Sequence, residues 1–236
     1  MLKQDENGVF HRRDEGGGAG MMERVFRDRR EAGKLLARAL VHYAGRKDVV
    51  VLGLPRGGVP VAAEVAQSLG APLDVLIVRK LGAPGQEELA IGAIAEGGVR
   101  VLNRGLVENL GLTRNDIDQL AQSEEHELER RVRIYRGGEK PLPVADRTVI
   151  VIDDGVATGA TMRAGLQAVR ARGATLVVAA APVGAADSVD ALREDADEVV
   201  VLETPAWFHA VGQWYENFGQ TSDEEVRACL GVKEAA

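Results

Sequence analysis

Short apolar runs recur along the chain, each of a length that suits a β-strand. The clearest is Val149–Ile152, in which four apolar residues follow one another without a polar break. Such a run is typical of a strand that is buried on both faces of a parallel sheet. Runs of this kind predict five strands, at 48–53, 74–80, 149–152, 175–181 and 198–202.

Between these runs, apolar residues recur at helical spacing and predict helices. In the first such segment, about 28–43, Asp28 and Glu31 have the spacing of a capping box. Further helices are predicted from Pro60, over 113–136, after Thr161, over 188–193 and from Ser222. Strands that alternate with helices predict an α/β fold, here a five-stranded parallel sheet flanked by helices.

The interval between the second and third strands is too long for a simple crossover. Residues 81–88 have the composition of a mobile loop, and the runs 90–95 and 99–103, joined by Glu96-Gly-Gly98, predict a hairpin. The amphipathic helix predicted over 113–136 follows, with no chemistry assigned to it. We interpret the interval, about 82–145, as an insert that forms a hood over the sheet together with the C-terminal aromatic segment.

Candidate chemistry is concentrated directly after the strand Val149–Ile152. Two carboxylates, Asp153 and Asp154, end the strand, and the loop that follows is rich in glycine, alanine and threonine. Small residues allow backbone N–H groups to converge, and the N-terminus of the next helix adds partial positive charge, so the loop suits a phosphate. The two carboxylates suit the vicinal hydroxyls of a sugar or a metal ion. The alternative is a purely structural role, in which one Asp caps the next helix.

Residues 149–161 resemble the phosphoribosyl-pyrophosphate (PRPP) signature of type I phosphoribosyltransferases: a hydrophobic strand, two acids, and a small-residue loop with Thr-Gly-x-Thr. The resemblance implies that Asp153 and Asp154 hold the ribose hydroxyls. It also implies that the 5′-phosphate is cradled by the loop, which consists of Gly155, Val156, Ala157, Thr158, Gly159, Ala160 and Thr161. Mg²⁺ is implied as a cofactor that PRPP carries in, near Asp153 and Asp154.

A second glycine-rich turn follows the first predicted strand, at Leu54-Pro-Arg-Gly-Gly58. Arg56 offers a planar fork of donors, and Gly57 and Gly58 expose backbone N–H groups, so the turn is a candidate oxyanion pocket. It is similar to the pyrophosphate loop of the same family, closest to that of xanthine-guanine transferases, with Pro55 in place of a serine. The resemblance further implies a non-proline cis peptide bond, Pro55–Arg56.

Two cations, Arg79 and Lys80, end the strand predicted over 74–80. Since ligands of open α/β sheets bind at the carboxyl ends of the strands, we expect both side chains to face the site. The alternative is a solvated strand end. The resemblance implies a basic residue near the pyrophosphate.

Five of the aromatic residues of the chain lie in a short C-terminal segment: Trp207, Phe208, Trp214, Tyr215 and Phe218. A flat acceptor base needs an aromatic face to stack on, and we assign Trp207 and Phe208 to that role. Packing of a C-terminal flap or a dimer interface is the alternative, and it is favoured for the later three. His209 is left unassigned.

Composition narrows the possible partners and the cellular location of the protein. The net charge of −7 argues against nucleic acid and anionic membranes as partners, and no membrane-length apolar run or signal-peptide core is present. Cys229 has no partner for an internal disulfide. We expect a cytoplasmic protein, a homodimer, and a single phosphoribosyltransferase-like domain over 21–236. Residues 1–20 are expected to be disordered, and the start codon is left open between Met1, Met21 and Met22.

The resemblance implies an enzyme, a phosphoribosyltransferase that moves ribose 5-phosphate from PRPP to a small nitrogenous acceptor and releases pyrophosphate. Arg56, Lys80, Asp153 and Asp154 are the residues expected to carry the reaction. A PRPP- or nucleotide-sensing regulator without turnover is the alternative function. A dinucleotide-dependent redox enzyme is a third possibility, although no Gly-x-Gly-x-x-Gly follows a strand.

Overall fold

The computed structural model describes residues 2–4, 10–12, 24–96 and 98–232. The strands, in chain order, are β1 (Leu2–Gln4), β2 (Phe10–Arg12), β3 (Val49–Gly53), β4 (Leu73–Val75), β5 (Val78–Ala83), β6 (Gln86–Ala95), β7 (Val99–Leu102), β8 (Thr148–Ile152), β9 (Leu176–Val183) and β10 (Glu198–Glu203). The α-helices are α1 (Arg29–Ala39), α2 (Gly58–Leu69), α3 (Arg104–Asn109), α4 (Arg114–Arg136), α5 (Ala160–Ala171), α6 (Ala186–Ala191) and α7 (Asp223–Leu230).

Five strands form the predicted parallel sheet, in the order β10-β9-β8-β3-β4. The central strand β8 is buried along its whole length, and its side chains alternate between two apolar clusters. Val149 and Val151 pack with α5, whereas Ile150 and Ile152 pack with α1 and α2 on the other face. Helices cover both faces of the strand, and this explains why its apolar run is unbroken.

The strand predicted over 74–80 is wrong in extent. The parallel strand β4 ends at Val75, and after Leu76 and Ile77 the chain enters a separate antiparallel sheet, β5-β6-β7. The loop predicted over 81–88 is wrong as well, because β5 and β6 extend through this stretch as a paired hairpin around a turn at Gly85. The second hairpin, β6–β7, is confirmed.

The long helix α4 is confirmed and covers the antiparallel sheet. Thr113 caps it through a full capping box with Asp116, and Gly137 ends it with a positive φ. Its buried residues Ile117, Leu128 and Tyr135 belong to the predicted apolar stripe. Within the hood predicted above the sheet, β5, β6, β7 and α4 share one apolar cluster.

A buried ion cluster connects this hood to the parallel sheet. Arg136, at the end of α4, donates to Asp74 Oδ1 at 2.8 Å and to the carbonyl of Val75 at 2.8 Å, and it also pairs with Glu96. The second oxygen of Asp74 accepts from the backbone of Leu142 at 2.9 Å. The cluster therefore fixes the chain at the point where it leaves one sheet for the other.

The C-terminal segment returns to the first helix. Phe26 forms a parallel bridge with Tyr215, and its N–H donates to the carbonyl of Trp214 at 2.8 Å. Ser222 then caps α7 through the backbone of Glu225, as predicted. The segment after β10 therefore packs beside the residues that lead into α1.

At the N-terminus, β1 and β2 pair as a short antiparallel ribbon. The other residues of 1–20 lie outside the described ranges, so the disorder predicted for them stays a prediction. Within the described ranges, no helix combines the length and apolar character that crossing a membrane requires.

Candidate active site

Two loops meet at the carboxyl edge of the central sheet. Strands β3 and β8 are neighbours in register, so Gly53 lies opposite Ile152. Both chains then leave the sheet at the same level, one into residues 54–57 and the other into residues 153–159. Each loop runs directly into the N-terminus of a helix, α2 or α5, and neither helix has an acidic residue in its first turn. Both positive helix ends therefore remain available to an anion.

Glycines allow these two loops to touch. A Cβ atom on Gly58 would lie 2.6 Å from the carbonyl oxygen of Ile152 and 2.8 Å from Cα of Asp153. A Cβ on Gly57 would overlap the carboxylate of Asp154. Neither glycine has a positive φ, so the requirement is close approach and not an unusual backbone conformation. The Arg-Gly-Gly turn and the acid pair thus form one continuous surface.

Asp153 is partly buried at the end of β8 and accepts from the backbone N–H of Asp154 at 2.9 Å. Loss of solvent raises the pKa of its carboxyl group well above the usual range, and the neighbouring charge of Asp154 adds to the rise. Asp153 therefore holds a proton more readily than an isolated aspartate would.

Asp154 is held by a cation and by a tyrosine. Arg29 Nε donates to Asp154 Oδ2 at 2.7 Å. The hydroxyl group of Tyr215 donates to the carbonyl oxygen of Asp154 at 2.6 Å. Burial raises the pKa of Tyr215 far above its ordinary value, with the charge of Asp154 as the next cause. Tyr215 thus remains a neutral hydrogen-bond donor across the working pH range.

The loop after the acids is anchored at one point and open at its tip. Val156 is buried and bridges to Gly184, with its N–H donating to the carbonyl of Val183 at 2.9 Å. Beyond it, Thr158 and Thr161 are exposed, and Gly159 has the positive φ of +72° that starts α5. The open part therefore presents two hydroxyl groups and the first-turn N–H groups of a helix, which lack intrahelical partners.

Arg56 lies in the other loop, directly before Gly57. The peptide bond Pro55–Arg56 is cis, which confirms the prediction made from the resemblance. The guanidinium group lies 3.8 Å from Asp223, the first residue of α7, and is partly exposed. Asp223 also accepts from the hydroxyl of Tyr135 at 2.8 Å. Helices α4 and α7 therefore both contribute to the surroundings of Arg56.

Arg79 and Lys80 do not end a parallel strand, because they lie inside β5 of the hood. Side chains alternate along a strand. Arg79 faces α4, where its Nε donates to Glu124 at 2.6 Å. Lys80 shares a face with Val78, which packs against the cluster that contains Met162 and Leu166 of α5. Of the two cations, Lys80 is therefore on the side of the phosphate loop, and both assignments to substrate stay predictions.

The aromatic segment contains an exposed tryptophan and several residues that pack against the start of the domain. Trp207 is 78% exposed, whereas Phe208 packs against the cluster of Phe26, Trp214 and Tyr215. The packing of Phe208 is compatible with the packing alternative, and the stacking roles assigned to Trp207 and Phe208 both stay predictions. Val211 lies against Gly155, where a Cβ would come within 2.5 Å of its side chain. The segment therefore reaches the acid loop through Val211 and Tyr215.

Comparison with known proteins decides the family. The model of the phosphoribosyl transferase domain matches residues 27–217, which contain both loops and the whole sheet. The chain belongs to this family. Two Mycobacterium tuberculosis proteins, each named "Putative phosphoribosyl transferase" (MT0597 and Rv0571c), are 54% identical over 207 residues, which is 88% of this chain and 46% of each relative. The chain therefore spans about half the length of the curated relatives that it matches.

A solved structure agrees with this assignment. The crystal structure of TT1426 from Thermus thermophilus is 46% identical and superposes with a TM-score of 0.81. The match covers 87% of this chain and 97% of that one. The parallel sheet and the antiparallel hood therefore belong to a fold that an experimental structure shares.

In this phosphoribosyl transferase domain, sequence reasoning missed Arg29 and Tyr215 as site residues. Arg29 stands 125 positions before Asp154, and nothing in its local pattern distinguishes it from the neighbouring arginines of α1. Tyr215 was placed in a packing segment. Packing is indeed its main role, since it is 5% exposed, but its hydroxyl group also reaches the acid loop.

The donor set bears on the predicted Mg²⁺. Within the described ranges, no cluster of three or more His, Cys, Asp or Glu side chains is placed to hold a metal ion. The oxygens nearest the loops are those of Asp153 and Asp154, one of which is already paired with Arg29. Mg²⁺ takes oxygen ligands and keeps several waters, so this phosphoribosyl transferase domain fits a metal that arrives with most of its ligands on a diphosphate.

Proposed function

We propose that this domain binds PRPP and transfers its ribose 5-phosphate to a nitrogenous acceptor, with release of pyrophosphate. The observation that carries the proposal is the contact between the two loops. Gly57 and Gly58 lie directly against Asp154 and Asp153, so a site for two adjacent hydroxyls adjoins a site for a diphosphate. PRPP carries these groups on neighbouring carbons of one sugar.

The ribose and its 5′-phosphate occupy the side of β8. Asp153 and Asp154 accept hydrogen bonds from the 2′- and 3′-hydroxyls, and such bonds to charged groups are worth about 1.5–3 kcal/mol each. Residues 155–161 surround the 5′-phosphate with backbone N–H groups and the hydroxyls of Thr158 and Thr161, at the positive end of α5. Held at both ends, the sugar keeps C1 fixed in front of the diphosphate loop.

In the reaction, the bond between C1 and the diphosphate oxygen breaks, and the electron pair leaves with the diphosphate. C1 becomes oxocarbenium-like, a bond from C1 to the acceptor nitrogen forms, and the nitrogen loses its proton to solvent. Negative charge grows on the leaving group, so donors fixed around it stabilise the transition state more than the ground state. Arg56, the Gly57 and Gly58 amides and Lys80 are the groups assigned to this role.

A Mg²⁺ ion bound to PRPP would neutralise charge on the diphosphate. Asp153 and Asp154 are the protein oxygens near which the ion would lie, with its remaining ligands from the substrate and water. Arg79 joins the diphosphate side only if it exchanges its contact with Glu124 for one with the substrate.

The acceptor enters from the side of the C-terminal segment. Trp207 offers an exposed aromatic face after β10, which suits a flat heterocycle. The acceptor belongs to the class of nitrogenous bases or related amines. Trp207→Ala is expected to raise KM for the acceptor and to leave the affinity for PRPP unchanged.

The transfer is tested by measuring pyrophosphate release from PRPP and Mg²⁺ with a panel of purines, pyrimidines and simple amines. The ribosylated product is identified by mass spectrometry. We expect release with at least one acceptor, and loss of release in Asp153→Asn/Asp154→Asn. Tight PRPP binding without release across the whole panel would instead support a PRPP-sensing regulator that lacks turnover.

A further inference from the structure

Arg29 is the first residue of α1, and it forms an ion pair with Asp154 to which the proposed reaction assigns no role. Its Nε donates to Asp154 Oδ2 at 2.7 Å, and the two side chains are only 13% and 14% exposed. An ion pair this sheltered from solvent is geometrically fixed, in contrast to most surface pairs. The bond therefore restrains the rotation of the Asp154 carboxylate.

The same guanidinium group contacts the C-terminal segment. One terminal nitrogen donates to the carbonyl of Gly219 at 2.7 Å, and the central carbon lies 4.0 Å from the ring centroid of Phe218. Tyr215, in the same segment, donates to the Asp154 carbonyl. Arg29 and Tyr215 thus connect the segment to one acid by two independent routes.

Arg29 also lies against the diphosphate loop. A Cβ on Gly57 would come within 3.0 Å of Arg29 Nε. The guanidinium group therefore contacts both loops of the site as well as the segment proposed to receive the acceptor. A planar, permanently charged group with several donors is required for such a junction, because a lysine has neither the fork nor the flat face.

Without Arg29, two carboxylates would face each other at the end of β8 with no cation in contact. Their mutual repulsion would favour displacement of the Asp154 carboxylate from its place against Gly57. The position of Asp154 is thus set by its ion pair with Arg29 and not by close packing alone.

We propose that Arg29 is a positioning residue, which holds the Asp154 carboxylate in place for the ribose and anchors residues 215–219 beside it. The ribose half of this inference rests on the proposed function, whereas the anchoring half does not. Arg29 contacts no reacting atom in this scheme, so it acts through Asp154.

The first test compares Arg29→Met, Arg29→Lys and the control Arg38→Met. Arg38 is an exposed arginine of the same helix, outside both loops. PRPP affinity is measured by calorimetry, and thermal unfolding checks that each variant is folded. We expect affinity to fall roughly 10- to 100-fold in Arg29→Met and less in Arg29→Lys, which keeps the charge, and to stay unchanged in Arg38→Met. Wild-type affinity in a folded Arg29→Met would overturn the ribose half.

The second test is a double-mutant cycle with Asp154→Asn. If Arg29 acts through Asp154, then Arg29→Met should cost less than about threefold in PRPP affinity once Asp154 is already Asn. A general structural effect would instead give losses that multiply, and that result would contradict the positioning role.

The third test needs no ligand and therefore separates this inference from the proposed function. Hydrogen exchange of residues 214–220 is compared in free wild type, Arg29→Met and Arg38→Met. We expect faster exchange at this segment in Arg29→Met alone. If wild type fails to bind PRPP, the proposed function fails, and this measurement decides the anchor by itself. Unchanged exchange in Arg29→Met would then overturn it.

Discussion

Asp153 combines a favourable position for the ribose with an unfavourable environment for its own charge. Partial burial and the charge of Asp154 raise the pKa of its carboxyl group in the folded protein. Between the ordinary pKa and this raised value, the folded protein binds more protons than the unfolded chain. Stability therefore falls as the pH rises through this interval. Above the raised pKa, the ionised carboxyl group of Asp153 destabilises the free protein.

Asp153→Asn should therefore stabilise the free protein while weakening PRPP binding. The amide keeps the shape of the protonated acid and removes the charge, so above the raised pKa of Asp153 we expect a gain on the order of 1 kcal/mol, or about 2–4 °C in melting temperature. The gain should shrink toward acid pH, where wild-type Asp153 is itself protonated. Thermal scans from pH 4 to 8 measure this, and a lower melting temperature for Asp153→Asn at pH 7 would contradict the electrostatic explanation.

Arg56 offers the sharpest separation of turnover from binding. Its positive charge is most valuable when the diphosphate departs, so Arg56→Ala should lower kcat on the order of 10²-fold with a smaller change in PRPP affinity. Steady-state pyrophosphate release gives kcat and calorimetry gives the PRPP affinity, with Arg38→Ala as a matched surface control. A loss of PRPP affinity on the order of 10²-fold, with kcat unchanged, would assign Arg56 to ground-state binding alone.

Among the elements, the parts that the sequence predicted well are those set by local pattern. The run Val149–Ile152 specified a doubly covered strand, and the amphipathic pattern over 113–136 specified α4 nearly to the residue. The break between β4 and β5 could not be read in this way. Leu76 and Ile77 are both 1% exposed and apolar, so the run continues through the very place where the chain changes sheets.

What marks that break is a long-range contact. Arg136 lies 62 positions after Asp74, and only folding brings them together. The same limit applies to Arg29 and Asp154. Residue types and local spacing predicted the two loops, whereas the cations that hold the hood and the acid pair come from distant segments.

Arg136→Met should be strongly destabilising because it leaves Asp74 buried without its cation. Removing one partner of a buried ion pair costs about 3–5 kcal/mol. Arg133→Met, an exposed position on the same helix, should change stability by less than about 0.5 kcal/mol. Urea unfolding of the two variants tests the difference. Equal stabilities would mean that the cluster does not fix the junction between the two sheets.

At the scale of the whole molecule, the described site lies entirely within residues 24–232. The family match begins at residue 27, and the bridge from Phe26 to Tyr215 closes the domain. We therefore expect the predicted domain, 21–236, to be sufficient for binding. A chain that begins at Met21 or Met22 should bind PRPP with the affinity of the full chain within about twofold, measured by calorimetry. A large loss would place part of the site in residues 1–20.

The central claim is that the acid pair and the two glycine-rich loops form one PRPP site. The most direct measurement is calorimetric titration of wild type and of Asp153→Asn/Asp154→Asn with PRPP in the presence of Mg²⁺. Two lost charge-assisted hydrogen bonds predict a weakening of about 3–6 kcal/mol, or roughly 10²- to 10⁴-fold, in a variant that remains folded. Unchanged PRPP affinity in the folded double variant would contradict the account.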